Sequence, residues 1–185
     1  RPLVCSSLIN LVTIFDTGSS FAAYATPHQS IIDIFEKNIK NLGINIPELS
    51  IPVANYVPYK EVNNILYVSG QAPVLNGKLI YLGKVGIDIS IEDGIEAARI
   101  CCLNILAAIK HSIDSNWDRF GEIIKIGGFV NSNPDFTDHP KIINGASDLL
   151  VSIFGDKGKH TRFAVGSNSL PLNIAVEIEA IIQLQ

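Results

Sequence analysis

Hydrophobic positions change their period several times along this chain, and each change marks an element. From Ser30, the residues Ile31, Ile32, Ile34, Phe35, Ile39 and Leu42 recur at helical spacing along one broad face. Ser30 is placed to cap the N-terminus and Gly43 to stop the helix, so a helix over 31–42 is expected. Pro47 and Pro52 bracket an extended linker. Two strand-like runs follow, Asn55 to Val62 and Ile65 to Ser69, split by the turn pair Asn63-Asn64, and together they read as a hairpin. The segment Leu75-Asn76-Gly77-Lys78 carries Asn-Gly turn chemistry into a third short strand, Leu79 to Leu82.

The strongest helical pattern runs from Ser90 to Ile113. Ser90 opens it with Asp93 three residues on, and Ile91, Ile95, Ala98, Cys102, Ile105 and Ile109 share a face. Gly121 to Val130 reads as a buried strand, Pro140 to Phe154 as a helix, and Arg162 to Gly166 as a strand. A last strand, Ile174 to Leu184, alternates around Glu177 and Glu179. The predicted order is helix, two or three strands, helix, strand, helix, two strands, with no internal repeat or low-complexity segment.

Residues 1–30 break the pattern. They carry only Arg1 and Asp16 as charges and mix an apolar run, Leu8 to Phe15, with Ser, Thr and Gly. No stretch approaches the roughly 18 consecutive apolar residues of a spanning helix. Ala23-Tyr24-Ala25 has the form of a signal cleavage site, but Asp16, Ser6, Ser7 and Asn10 weaken the apolar region. Two readings stay open: a targeting remnant, or a disordered or artefactual leader. Arg1 as first residue and the absence of any methionine suggest a chain processed, truncated or recombinant at its start.

Composition narrows the function classes. The chain has 185 residues, 47% of them hydrophobic and 17% charged, with a formal net charge of -4. That length suits one globular domain, or one domain with an appendage. The acidic balance disfavours a dedicated nucleic-acid binder, which needs basic excess to meet phosphates. Charge below the roughly 25% of an average domain leaves an apolar surplus, and burial between subunits is one destination for it. Cys5, Cys101 and Cys102 lack metal-ligand spacing, and the adjacent pair cannot easily bridge, so a reduced compartment is expected. The cytoplasm fits, or export or organelle targeting if the first 25 residues are a genuine signal.

Phosphate-cradling, nucleophile-elbow and zinc-protease motifs do not occur. His28, His111, His139 and His160 lie far apart without ligand pairing, and His139 in Asp138-His139-Pro140 reads as a helix-start residue. Gly127-Gly128 reads as a strand irregularity or close-packing site rather than a phosphate loop, Trp117 as a packing or loop-anchoring residue, and 131–135 as turn residues on a cleft rim. What remains is Arg162, an arginine opening an otherwise apolar strand. A desolvated guanidinium needs an anion, so either Arg162 faces solvent, or it pairs internally with Glu177 or Glu179, or it grips a substrate carboxylate bidentately.

The residues Arg162 to Pro171 form R-x-x-V-x-x-x-x-L-P, followed by Val176-Glu177-Ile178-Glu179-Ala180. This resembles the closing signature of the Rid (reactive intermediate deaminase, YjgF-like) family. Tyr56, the Ser69-Gly70-Gln71 turn and Asn144 match the family's tyrosine, S-G-Q turn and asparagine in the right order. The similarity runs from about residue 54 to 185, and the N-terminal helix resembles a longer subgroup labelled L-PSP endoribonuclease or chorismate-mutase-like. Three segments follow: a leader over 1–30, a helix and linker over 31–53, and a Rid-like domain over 54–185.

The resemblance implies an α+β domain, a mixed sheet with two helices on one face, assembled as a homotrimer with clefts between subunits. It implies that Arg162 grips the substrate carboxylate, that Gly70 and Ala164 offer backbone groups, and that Glu177 positions or activates water. Tyr56 and Asn144 would line the cleft, with at least one of them from the neighbouring subunit. Glu179 shares the face of Glu177, so choosing between them is a family argument. The implied reaction is hydrolysis of an enamine or imine such as 2-aminoacrylate to a 2-keto acid and ammonia, with no metal or organic cofactor. Ala164 departs from the archetype, which carries cysteine there, and segment 31–52 is an extension. Two alternatives stay open: a trimeric module that binds small carboxylates without turnover, and the endoribonuclease of the older label.

Overall fold

The computed structural model describes residues 31–51 and 54–185, with side chains described from Ile34 onward outside that gap. The expected leader, the Ser30 cap and Cys5 lie outside those residues. Helix α1 spans Ile31–Asn41, as its apolar spacing predicts, and Gly43 ends it in the left-handed region at φ 62°. Its apolar face is narrower than expected: Phe35 is buried, but Ile34 and Leu42 are exposed. Phe35 meets Phe120 and Phe154 edge-on at centroid distances of 5.6 and 4.9 Å, and Asn38 donates to the Ile153 carbonyl at 2.8 Å. One aromatic cluster thus ties α1 to the main core.

The hairpin forms with the expected turn. β1 (Tyr59–Val62) pairs antiparallel with β2 (Ile65–Gln71), and Asn63 and Asn64 both adopt positive φ. β1 begins later than predicted, because residues 54–56 bend and Pro58 has no N–H to give a ladder. The third strand is also corrected. Asn76 and Gly77 turn as expected, but they join only a two-residue ribbon, β3 (Val74–Leu75) with β4 (Lys78–Leu79), outside the main sheet. Tyr81 at φ 57° breaks any longer strand, and Leu82 makes a single bridge to Ile174.

Helix α2 spans Ile91–Ser112, and its Ser90 hydroxyl accepts from the Asp93 N–H at 3.0 Å. β5 (Phe120–Asn131), α3 (His139–Phe154) and β6 (Thr161–Ser167) follow, then β7 (Val176–Leu184). The five-stranded sheet has the order β1-β2-β7-β5-β6; β5 and β6 run parallel and the other neighbours antiparallel. Helices α2 and α3 cover one face. They cross closely because Gly145 lies directly on the Ile95 carbonyl, where a side chain would collide. No described helix is long and apolar enough to cross a membrane.

Each strand shows what is covered. Along β7, Val176, Ile178, Ala180, Ile182 and Leu184 are buried toward the helices, while Glu177, Glu179, Ile181 and Gln183 alternate onto the open face, half-buried. Phe129 and Val165 remain exposed side by side on that same open face, and Tyr67 is exposed on it farther away, opposite Ile181.

Candidate functional site

The sequence candidates fall into two groups. The first lies along β6, the sheet edge. Arg162 is in register with the buried Ile126, so it points to the helix-covered side, and from the edge its guanidinium reaches across to α3. Its Nη1 donates to Asn144 Oδ1 at 2.8 Å and to Ser147 Oγ at 3.0 Å, and its Nη2 to the Pro140 carbonyl at 3.4 Å. Ala164 sits on the same side, half-buried against the core. Among the described residues the ion pairs are Arg99–Glu96, Arg119–Glu61 and Lys159–Asp156, so no carboxylate occupies Arg162. The internal pair with Glu177 or Glu179 does not form. Nη1 has committed both hydrogens, whereas the edge carrying Nε–H and one Nη2–H faces no partner among the described residues. That edge has the fork geometry that matches a carboxylate.

The second group lies on the open face. Glu177 is half-buried there, and burial first, then the neighbouring Glu179, holds its carboxyl above the usual range. Gly70 occupies the irregularity where the β2–β7 register shifts between Val68 and Gln71. A side chain at Gly70 would strike Glu177 Oε1, so the glycine is what lets this carboxyl lie against the β2 backbone. Tyr56 stands on the bend before β1 and shares with Gly70, Ser50 and Asn104 of α2 a cavity of about 150 Å3 that Glu177 does not line. Buried Asn104 donates to the carbonyls of Ala72 and Val74 at 3.2 and 3.0 Å, holding the segment after Gly70 in place.

Pairing fixes the separation. Glu177 is opposite Phe129, which is opposite Val165, so Glu177 and β6 are two strands apart, roughly 9–10 Å sideways. Arg162 lies three residues from Val165 and therefore on the other face. One small substrate cannot touch both within a single chain.

The sequence profile described as "YjgF/chorismate mutase-like, putative endoribonuclease" matches residues 36–183. The chain belongs to this family. It is 38% identical to protein TCP17 of Trypanosoma cruzi over 148 residues, covering 80% of this chain and 92% of TCP17. Among solved structures, protein Atu1372 of Agrobacterium tumefaciens superposes with a TM-score of 0.78 at 41% identity, over 85% of this chain and 97% of that one. A "putative endoribonuclease" of Shewanella oneidensis gives 0.78 at 35% identity, over 81% and 99%. The α+β architecture expected from the Rid resemblance is thus the YjgF/chorismate mutase-like fold.

Other residues of this YjgF-like domain take structural roles. Gly127 abuts the Phe163 ring and Gly128 abuts Ile143, both in mid-strand, so the pair serves close packing. Trp117 is buried beside Phe120 and Phe154. Cys101 and Cys102 are fully buried; burial pushes both thiols up, Cys102 to about 12, which keeps them protonated and inert. Among the described residues no cluster of His, Cys, Asp and Glu could hold a metal ion.

Two features escaped sequence reasoning. Ser132, Asn133 and Pro134 rim a cavity of about 310 Å3 at the ends of β5 and β6, where His139, the first residue of α3, shares a 3.1 Å hydrogen bond with Ser132. The rim placement was legible; the partnership with His139 was not. Ser147 and His160, which stand behind Arg162, carried no motif.

Proposed function

We propose that this chain is a cofactor-free hydrolase that deaminates reactive enamine or imine carboxylates to 2-keto acids and ammonia, at a cleft completed by a second copy of itself in a homotrimer. The observation that carries this reading is the division just described. An arginine fork open to a carboxylate and a half-buried, protonation-prone glutamate sit on opposite faces of one chain, each lacking what the other supplies. A neighbouring copy that sets its β6 edge against the open face of β2 and β7 unites Arg162, Asn144 and Ala164 with Glu177, Gly70 and Tyr56.

The chemistry follows. An enamine such as 2-aminoacrylate tautomerises to the 2-imino acid, whose protonated C=N carbon is already electrophilic. Arg162 holds the carboxylate by two N–H bonds, and backbone groups at Ala164 and Gly70 flank the substrate. Glu177 accepts a proton from water as the oxygen bonds to C2. The carbinolamine nitrogen is then protonated, the C–N bond breaks, ammonia leaves, and loss of the hydroxyl proton gives the keto acid. Orientation and one proton-handling carboxylate suffice for so activated a carbon, and a raised carboxyl suits that role.

The test adds purified protein to a dehydratase that generates 2-aminoacrylate. Faster keto acid and ammonia release is expected with wild type, and Arg162→Ala is expected to reduce the gain about a thousandfold while Tm stays within a few degrees. Equal rates with and without the protein overturn the reading. Saturable binding of 2-ketobutyrate without acceleration would mark a carboxylate-binding module. The endoribonuclease label is favoured by the family description and the Shewanella relative, and RNA cleavage lost in Arg162→Ala would support it.

A further inference from the structure

Behind Arg162 runs a chain of hydrogen bonds that ends in the fold's interior. Arg162 Nη1 donates to Ser147 Oγ at 3.0 Å, Ser147 Oγ lies 3.0 Å from His160 Nε2, and His160 Nδ1 lies 2.6 Å from the Gly158 carbonyl. The donors can be assigned without seeing a hydrogen. A carbonyl only accepts, so His160 Nδ1 carries the proton and neutral Nε2 must accept. Ser147 therefore donates its hydroxyl proton to Nε2, which leaves its lone pairs to receive Arg162, a group that can only donate. Every member is satisfied in one direction. The chain is built from three elements: the middle of α3, the turn at 155–158, and the start of β6.

We propose that Ser147 and His160 are positioning residues that fix the Arg162 guanidinium for a carboxylate ligand, with neutral His160 as the acceptor that terminates the chain. This rests on the reading of Arg162 as the carboxylate grip. Asn144 and Ser147 together take both Nη1 hydrogens, which locks the plane of the guanidinium and leaves the Nε–Nη2 edge turned outward. An arginine so held loses less freedom when a ligand arrives.

The arrangement is sensitive to protonation. A proton on Nε2 would turn that nitrogen into a donor, reverse the Ser147 bond and set a second cation beside Arg162. Burial holds the His160 imidazole below its usual value; the hydrogen bond to the Gly158 carbonyl opposes it, and the charge of Arg162 adds a smaller push downward. Arg162 is the one charged side chain that shifts it; Asp156 and Lys159, on the adjoining turn, pair with each other 2.7 Å apart at the surface. The neutral form, and the grip with it, holds at neutral pH and fails as pH falls through that lowered value.

The experiment titrates the intact protein with 2-ketobutyrate from about pH 8 downward through the acid range in which the fold persists and the probe stays anionic. Wild type is expected to bind with constant affinity at the upper end and to weaken progressively toward the lower. Ser147→Ala and His160→Ala are expected to weaken binding about tenfold at pH 8, each with a folded circular dichroism spectrum. His160→Gln keeps an acceptor near the Nε2 position and does not titrate, so it should restore most of the affinity and abolish the acid-side loss. In the deaminase assay, KM should rise for the alanine variants with kcat little changed. Wild-type affinity retained in Ser147→Ala, or an acid limb that persists in His160→Gln, overturns the inference. Failure of wild type itself to bind 2-ketobutyrate or accelerate deamination would instead overturn the reading of the site.

Discussion

The two faces of the sheet are finished to different degrees. On the helix side every inward residue of β7 is an aliphatic one, fully buried, and α2 and α3 close over it with glycine at the points of tightest approach. On the other side the same strand offers Glu177, Glu179, Ile181 and Gln183, half-buried, beside exposed Phe129 and Val165. The first face needs nothing beyond this chain. The second exposes apolar area next to carboxylates that the fold has partly desolvated, a combination that costs stability in isolation and suits a surface completed by another copy.

The largest contrast should come from matched substitutions on the two faces. Ile178→Ala, on the covered side, should cost about 2–5 kcal/mol, read as a lower urea midpoint independent of protein concentration. Val165→Asp, on the open side, should change the stability of the isolated fold little and reduce the assembly mass in sedimentation. An assembly unchanged by Val165→Asp would break the comparison. Next in size, Gly70→Ala drives a methyl into the flexible end of Glu177, so the fold should hold while deamination falls about ten- to a hundredfold.

These contrasts were only partly legible in the sequence. Alternation around Glu177 and Glu179 gave the two faces of β7, and Asn63-Asn64, Ser90 and Gly43 placed turns and caps through local chemistry alone. The ribbon at 74–79 was overextended because nothing local reveals that Tyr81 turns to positive φ. That Arg162 and Glu177 face opposite ways depends on register across β7, β5 and β6, which no single segment contains. Ser147 and His160 meet across 13 residues because the turn at 155–158 folds β6 back along α3. Such contacts have no sequence spacing of their own.

The smallest effect concerns Glu177 itself. Its carboxyl is held above the ordinary value, so the folded state prefers the protonated form. Stability from this group therefore declines as pH rises from the ordinary glutamate value through the raised one, and the ionised side chain is a small burden at neutral pH. Glu177→Gln should lose deamination yet melt at the wild-type temperature or slightly above it near pH 7. A clear drop in Tm would show that Glu177 holds the fold rather than the chemistry.

Subunit mixing tests most directly whether one site draws on two copies. Arg162→Ala and Glu177→Gln should each be inactive alone. Mixed in equal amounts and allowed to exchange, they should form assemblies in which about a quarter of the clefts join an intact Arg162 from one copy to an intact Glu177 from the next, and activity should return toward that fraction of wild type. No recovered activity, with mixed assemblies visible by native mass spectrometry, would contradict the account.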